Sequence, residues 1–145
     1  MPIFDDQNMI REVILDHYQY PRNKCLTHSH DYDSKRMNSD SCIDDITIEM
    51  KLKNGVIEDI RFDGVACAIS TASTSIMSEL LKGKTKEEAK HIIDEYIKMI
   101  NEEEYDEDLL EEAAAFKNTG KQANRIKCAT IGWLGAKEIL DKKEK

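Results

Sequence analysis

The 145-residue sequence is poor in the residues that make linkers and staples, with two prolines, six glycines, four cysteines and 6% aromatics. It has no Pro/Gly/Ser-rich linker, low-complexity tract or internal repeat, so residues 1–145 read as one domain, long enough to bury a core without cross-links. Long apolar runs are also missing. The longest stretch without charge, Gly64 to Ser78, is too short and too rich in Ser and Thr to span a bilayer. The start, MPIFDDQNMIREVILDHY, has no basic segment leading into an apolar one, so no signal peptide is expected, and no Asn-x-Ser/Thr acceptor occurs. Basic charge is in deficit. A net charge of -8 argues against general affinity for nucleic acid or anionic membranes. A cytoplasmic protein is expected, and in that setting four cysteines without a Cys-x-x-Cys pair point to thiols or metal ligands rather than disulfides.

The apolar pattern supplies the elements. Residues 5–19 read as a helix capped by Asp5 or Asp6, with Met9, Ile10, Val13 and Ile14 as its apolar stripe and Pro21 as its stop. Residues 23–41 are polar without periodicity and read as a loop. The period then becomes two: Ile46, Ile48, Met50 and Leu52 alternate with polar residues, Asn54-Gly55 favours a two-residue hairpin turn, and a second strand runs from Val56 to Phe62. A lone hairpin is marginal, so a short third strand is expected around Ala66–Ser70. A helix is predicted over Ser73–Leu81. Another opens at the Thr85/Glu88 capping box, with Ala89, Ile92, Ile93, Tyr96, Ile97 and Ile100 on one face. The acidic stretch Asn101–Glu112 reads as half loop, half helix. After a break near Asn118-Thr119-Gly120, a last helix is predicted from Lys127 to Leu140, with Ile131, Leu134 and Ile139 inward. Strands early and helices late give an α+β class with an antiparallel sheet.

Three cysteines fall at element ends. Cys42 precedes the first hairpin strand and Cys67 follows the second, and an antiparallel hairpin returns the chain to its starting end, so the two come together. Cys128 falls at the predicted start of the last helix, with Lys117, Lys121, Arg125 and Lys127 around it. Both the helix dipole and the cations are expected to lower its thiol pKa from a free value of about 8.5. If that helix points back at the open end of the hairpin, three thiolates converge, and Asp44 adds a carboxylate from the same loop as Cys42. A Cys₃Asp set suits Zn²⁺ and also iron. The aspartate is the harder, more exchangeable ligand, which fits a site that opens better than one that is closed for good.

Other clusters carry less. Cys25, His28 and His30 in CLTHSH have metal-like spacing but read as a polar loop, and His17 and His91 as ordinary helix residues. LKGKT lacks the glycine and the leading strand of a phosphate loop, so nucleotide binding is rejected.

The strings HYQYPRN (17–23), SCIDD (41–45), FDGVACAIS (62–70), LLKGK (80–84) and RIKCAT (125–130), in this order, resemble the U-type iron–sulfur cluster assembly proteins of the IscU/NifU N-terminal family. The resemblance covers about residues 8–140. It implies a SufE/NifU-like fold, a three-stranded antiparallel sheet packed against about five helices, and one metal site at Cys42, Asp44, Cys67 and Cys128. Lys127 stands where the IscU-like branch has His, and the long gap between Cys67 and Cys128 looks like an insertion, so the chain is most similar to the SufU-like branch. Ile43 and Ala66 replace glycines that the family carries beside its first and second cysteines, reducing backbone freedom there.

What the resemblance implies is a zinc-binding sulfur acceptor, a sulfurtransferase if it counts as an enzyme, that takes persulfide sulfur from a PLP-dependent, SufS-like cysteine desulfurase and serves downstream iron–sulfur assembly proteins. Cys128 is the expected acceptor, with Cys42 and Cys67 as competitors. One alternative is a scaffold on which iron or a [2Fe–2S] cluster occupies the same ligands. A remoter one is a purely structural zinc module, which needs neither the aspartate nor the cations near Cys128.

Overall fold

The computed structural model describes residues 7–38 and 43–142; Cys42, like the two candidate caps Asp5 and Asp6, lies outside the described residues. The first helix, α1 (Gln7–Gln19), buries Ile10 and His17 and leaves Met9 43% exposed, so its inner stripe runs through His17 rather than Met9. His17 is an interior residue: Nδ1 meets Ser75 Oγ at 2.8 Å and Nε2 meets Glu112 Oε1 at 3.1 Å.

The sheet has three antiparallel strands in the order β1 (Asp33–Asn38), β2 (Asp45–Lys53) and β3 (Val56–Val65). β2 and β3 form the expected hairpin, and Asn54 and Gly55 both carry positive φ at its turn, 55° and 79°. Ile46, Ile48 and Met50 of β2 are fully buried together with Ile57, Ile60 and Phe62 of β3. A bulge makes the β3 set possible. The register steps from Lys51↔Asp59 to Leu52↔Ile57, so Glu58 is an extra residue and Ile57 returns to the face of Ile60.

The third strand is not at Ala66–Ser70, where it was expected to support the hairpin. Ala66–Ser70 leads into a helix, and the strand beside β2 is Asp33–Asn38, within the segment read as loop. Its sequence, DSKRMN, has a single core-facing apolar residue, Met37, so no period-two pattern was there to read. Thr27 and His28, earlier in that segment, strap the outer sheet face. The backbone N–H groups of Thr27 and His28 donate to the Glu49 carboxylate at 2.7 and 2.9 Å, and Thr27 Oγ1 donates at 3.0 Å. Glu49, on the polar side of β2, is therefore buried yet satisfied.

Helices cover the other sheet face. α2 (Ala68–Leu81) starts five residues ahead of expectation and packs against α1, α5 and β3. α3 (Lys86–Ile100) opens on the predicted capping box, with Glu88 N donating to Thr85 Oγ1 at 3.1 Å and Thr85 N to Glu88 Oε1 at 2.9 Å. The acidic stretch holds one short helix, α4 (Glu107–Leu110), followed by 3-10 turns over Glu111–Phe116 and Thr119–Lys121. α5 (Ala123–Lys142) lies between α2, α3 and the β1–β2 edge of the sheet. Ile131 and Ile139 are buried as expected, but Trp133 is buried too and Leu134, expected inward, is 39% exposed. Trp133 stacks on Tyr96 at 3.8 Å between ring centroids, and Phe116 meets Tyr96 edge-on.

The α2–α5 approach depends on Gly132. A Cβ there would lie 2.3 Å from Thr74 Oγ1 and 3.0 Å from Thr74 Cβ, and threonine, branched at Cβ, has little rotamer freedom to yield. Gly132→Ala is expected to lower stability by about 1–3 kcal/mol through overpacking; an unchanged denaturant midpoint would show that the helices separate freely.

On the outer sheet face, burial acts to raise the Asp59 carboxyl, but hydrogen bonds from Tyr32, Arg61 and Lys82 outweigh it and hold its pKa at about 2. A depressed carboxylate adds stability in full above its ordinary value of 3.8 and loses it as pH falls through about 2. Asp59→Asn should therefore cost stability at neutral pH, with the difference from the parent shrinking across that window in urea titrations. A constant difference would contradict the ion-pair account.

Candidate metal centre

Three segments deliver the site. The bend before β2 supplies Asp44, the junction of β3 and α2 supplies Cys67, and α5 supplies Cys128. One carboxylate oxygen and the two Sγ atoms lie within 4.8 Å of one another. Asp44 is 1% exposed and both thiols are half-buried. Of the four residues expected to converge, these three do; Cys42 lies outside the described residues. Among the described residues no other His, Cys, Asp and Glu group is set as closely, so Cys25, His28 and His30 form no second centre. Cys25 is exposed, with Arg61 Nη1 donating to its sulfur at 2.7 Å.

Hydrogen bonds lock the cluster. Cys67 N donates to Asp44 Oδ1 at 2.9 Å, and Ser70 Oγ donates to Asp44 Oδ2 in a short bond. Cys67 is the N-cap of α2, its sulfur accepting Ser70 N at 3.4 Å. Ser70 was not singled out in the sequence. Its signal was the spacing in CAIS, a polar residue three positions after a potential cap, the arrangement in which cap and third residue bond each other. Ala66 keeps a negative φ, so the alanine in place of the family's glycine is accommodated without backbone strain.

The structure corrects the environment expected for Cys128. α5 begins at Ala123, so Cys128 lies in its second turn, past the unpaired N–H groups, and it is Cys67 that sits at a helix N-terminus. Lys117 is turned toward Glu107 at 3.9 Å, while Lys121, Arg125 and Lys127 are exposed. Burial first, then the neighbouring Cys67 thiol and Asp44 carboxylate, push the Cys128 thiol well above its ordinary range rather than below it.

Three acids in one small volume suit a cation. Ligands at about 2.3 Å on a tetrahedral ion stand about 3.8 Å apart, so donor atoms already within 4.8 Å need only small side-chain rotations to share one. Two thiolates and a carboxylate are borderline-soft donors, appropriate to zinc or iron rather than to magnesium or calcium.

Comparison with known proteins agrees with this geometry. The NifU-like N terminal domain family matches residues 9–129. The zinc-dependent sulfurtransferase SufU of Bacillus subtilis is 37% identical over 137 residues, which cover 94% of this chain and 92% of that protein. The iron–sulfur cluster assembly scaffold protein IscU of Streptococcus pyogenes is 34% identical over 129 residues, covering 88% of this chain and 80% of that one. A crystal structure of SufU from Fervidobacterium islandicum AW-1, described as an iron–sulfur cluster assembly scaffold for the SUF system, superimposes with a TM-score of 0.82 at 30% identity, covering 93% and 99% of the two chains.

Zinc added to metal-free protein is expected to raise the melting temperature, since a ligand at about 100 times its Kd adds about 2.7 kcal/mol. Asp44→Ala, Cys67→Ser and Cys128→Ser should each shrink that rise. An equal rise in all three variants would place the ion elsewhere.

Proposed function

The chain belongs to the NifU-like N-terminal domain family, and from that premise we propose that it is a cytoplasmic, single-domain iron–sulfur cluster assembly protein that binds zinc and accepts persulfide sulfur. The observation that carries the reading is the meeting of Asp44, Cys67 and Cys128, drawn from distant parts of the chain, at one point. Cys42, two positions before Asp44, is proposed as the fourth ligand. Zinc, when bound, supplies a charge that keeps the thiols deprotonated and shielded.

The proposed partner is a PLP-dependent, SufS-like cysteine desulfurase, with downstream iron–sulfur assembly proteins as receivers. Ile43 and Val65, close in sequence to Asp44 and Cys67, are 69% and 65% exposed and offer apolar contacts beside the centre. A thiolate of this chain attacks the outer sulfur of the desulfurase persulfide. A new S–S bond forms on the acceptor, the old one breaks, and the desulfurase cysteine leaves with the electron pair as a thiolate. Between the two described thiols, Cys67 is tied into the α2 cap through Ser70 N and through its own N–H on Asp44. Cys128 is free of any such cap, which supports it as the acceptor.

The scaffold reading uses the same ligands and has relatives of its own; the IscU of S. pyogenes is named for that role. Anaerobic reconstitution with iron and sulfide separates the two. A stable coloured cluster favours the scaffold, and a colourless zinc protein that stimulates a desulfurase favours sulfur transfer.

Labelled persulfide transfer to the four single Cys→Ser variants tests the acceptor. Cys128→Ser should abolish acceptance and Cys25→Ser leave it intact. Full labelling of the Cys128 variant, with loss in Cys42→Ser or Cys67→Ser, would move the role to that residue.

A further inference from the structure

One hydroxyl in the centre has no ligand role to explain it. Ser70 is fully buried. Its Oγ donates to Asp44 Oδ2 and stands 3.4 Å from Cys67 Sγ, so it touches two of the three described donors of the cluster. Asp44 is held on its other oxygen by Cys67 N at 2.9 Å. A carboxylate fixed at one oxygen can still swing about that contact; a second donor on the other oxygen fixes its plane. Both donors come from the N-terminal end of α2, one from its N-cap and one from its first turn. A hydroxyl inside a helix interface is costly unless bonded, and this one is bonded to the ligand side chains themselves.

We propose that Ser70 is a positioning residue of the metal centre: its hydroxyl fixes the Asp44 carboxylate so that the oxygen corner of the ligand set is formed before the ion arrives. The inference rests on the metal-centre reading above and adds to it a residue that is not itself a ligand. Ser70 acts on the ion through Asp44. Ligating groups are generally oriented by such outer hydrogen bonds, and losing one costs about 10- to 100-fold in metal affinity.

Ser70→Ala keeps the backbone N–H that Cys67 Sγ accepts and places a good helix former in the first turn, and the far-ultraviolet circular dichroism of the metal-free variant, expected to match the parent, checks the fold. The test is zinc competition against a chromophoric chelator for the parent, Ser70→Ala, Asp44→Ala and the double variant, with absorption spectra of the cobalt-substituted forms. Ser70→Ala should weaken zinc binding about 10- to 100-fold and shift the cobalt ligand-field bands, while the double variant binds no more weakly than Asp44→Ala alone. Parent-like affinity in Ser70→Ala, or losses that multiply in the double variant, would overturn the proposal and leave the metal centre standing. If the parent itself fails to take zinc from the chelator, the metal-centre reading falls and this inference with it.

Discussion

Asp44 carries a carboxylate into a place where only 1% of the residue is exposed, and the donors that meet it there tie three segments of chain together. Removing a carboxylate from water costs several kcal/mol unless its oxygens are satisfied. Cys67 N and Ser70 Oγ satisfy them, one oxygen each, and both belong to the start of α2. The entry to β2, the exit from β3 and the first turn of α2 are thereby held at one end of the hairpin. Cys67 is fixed as a consequence, because its N–H is committed to Asp44 and its sulfur to the helix cap.

Cys128 reaches the same point by a different route. It rides on α5, whose position is set by contacts further along the helix. Gly132 lets α5 come within touching distance of Thr74 on α2. Ala129 C=O, next to Cys128, accepts from Ser73 Oγ at 2.6 Å and from Tyr96 OH at 2.7 Å, and Trp133 Nε1 donates to Ser73 Oγ at 3.0 Å. The Ser and Thr residues of α2 thus have two tasks along one helix. Ser70 faces the carboxylate, and Ser73 anchors the partner helix that brings the second thiol. A leucine-rich helix would have packed there equally well but would have offered no donor to either.

Much of this was legible in the sequence, and the failures share a cause. The hairpin and the capping box of α3 follow from local period and turn chemistry, which act within a few residues; the meeting read from the hairpin was that of Cys42 with Cys67, and of that loop the described residues show Asp44 beside Cys67. β1 was invisible because its pairing is decided by β2: DSKRMN is recruited to an edge, with Met37 alone to bury. The early starts of α2 and α5 were missed because sequence signals locate helix ends loosely, and for Cys128 that shift changed the chemistry, replacing a helix N-terminus with a half-buried second turn. Glu49 misled for a related reason, since a charged residue in an alternating strand reads as solvated until the Thr27–His28 strap covers it. Long-range partners decide all of these cases, and periodicity carries no record of them.

The depth order of the donors bears on what such a site can do. The carboxylate is at the bottom, fully enclosed, while the two described sulfurs are half-buried above it. A partner arriving from solvent therefore meets sulfur first and oxygen last. A purely structural ion gains most from the reverse arrangement, with soft, reactive thiolates sealed inside. In the metal-free chain the crowding of Cys67, Asp44 and burial itself drives the Cys128 thiol toward its protonated form, and a cation at the same point inverts that balance, because a coordinated thiol is held deprotonated. Deprotonation of this thiol is then coupled to occupancy of the centre, because binding the ion releases the proton. That dependence suits a carrier whose thiolate is to be available only when the ion and the delivering protein are both in place.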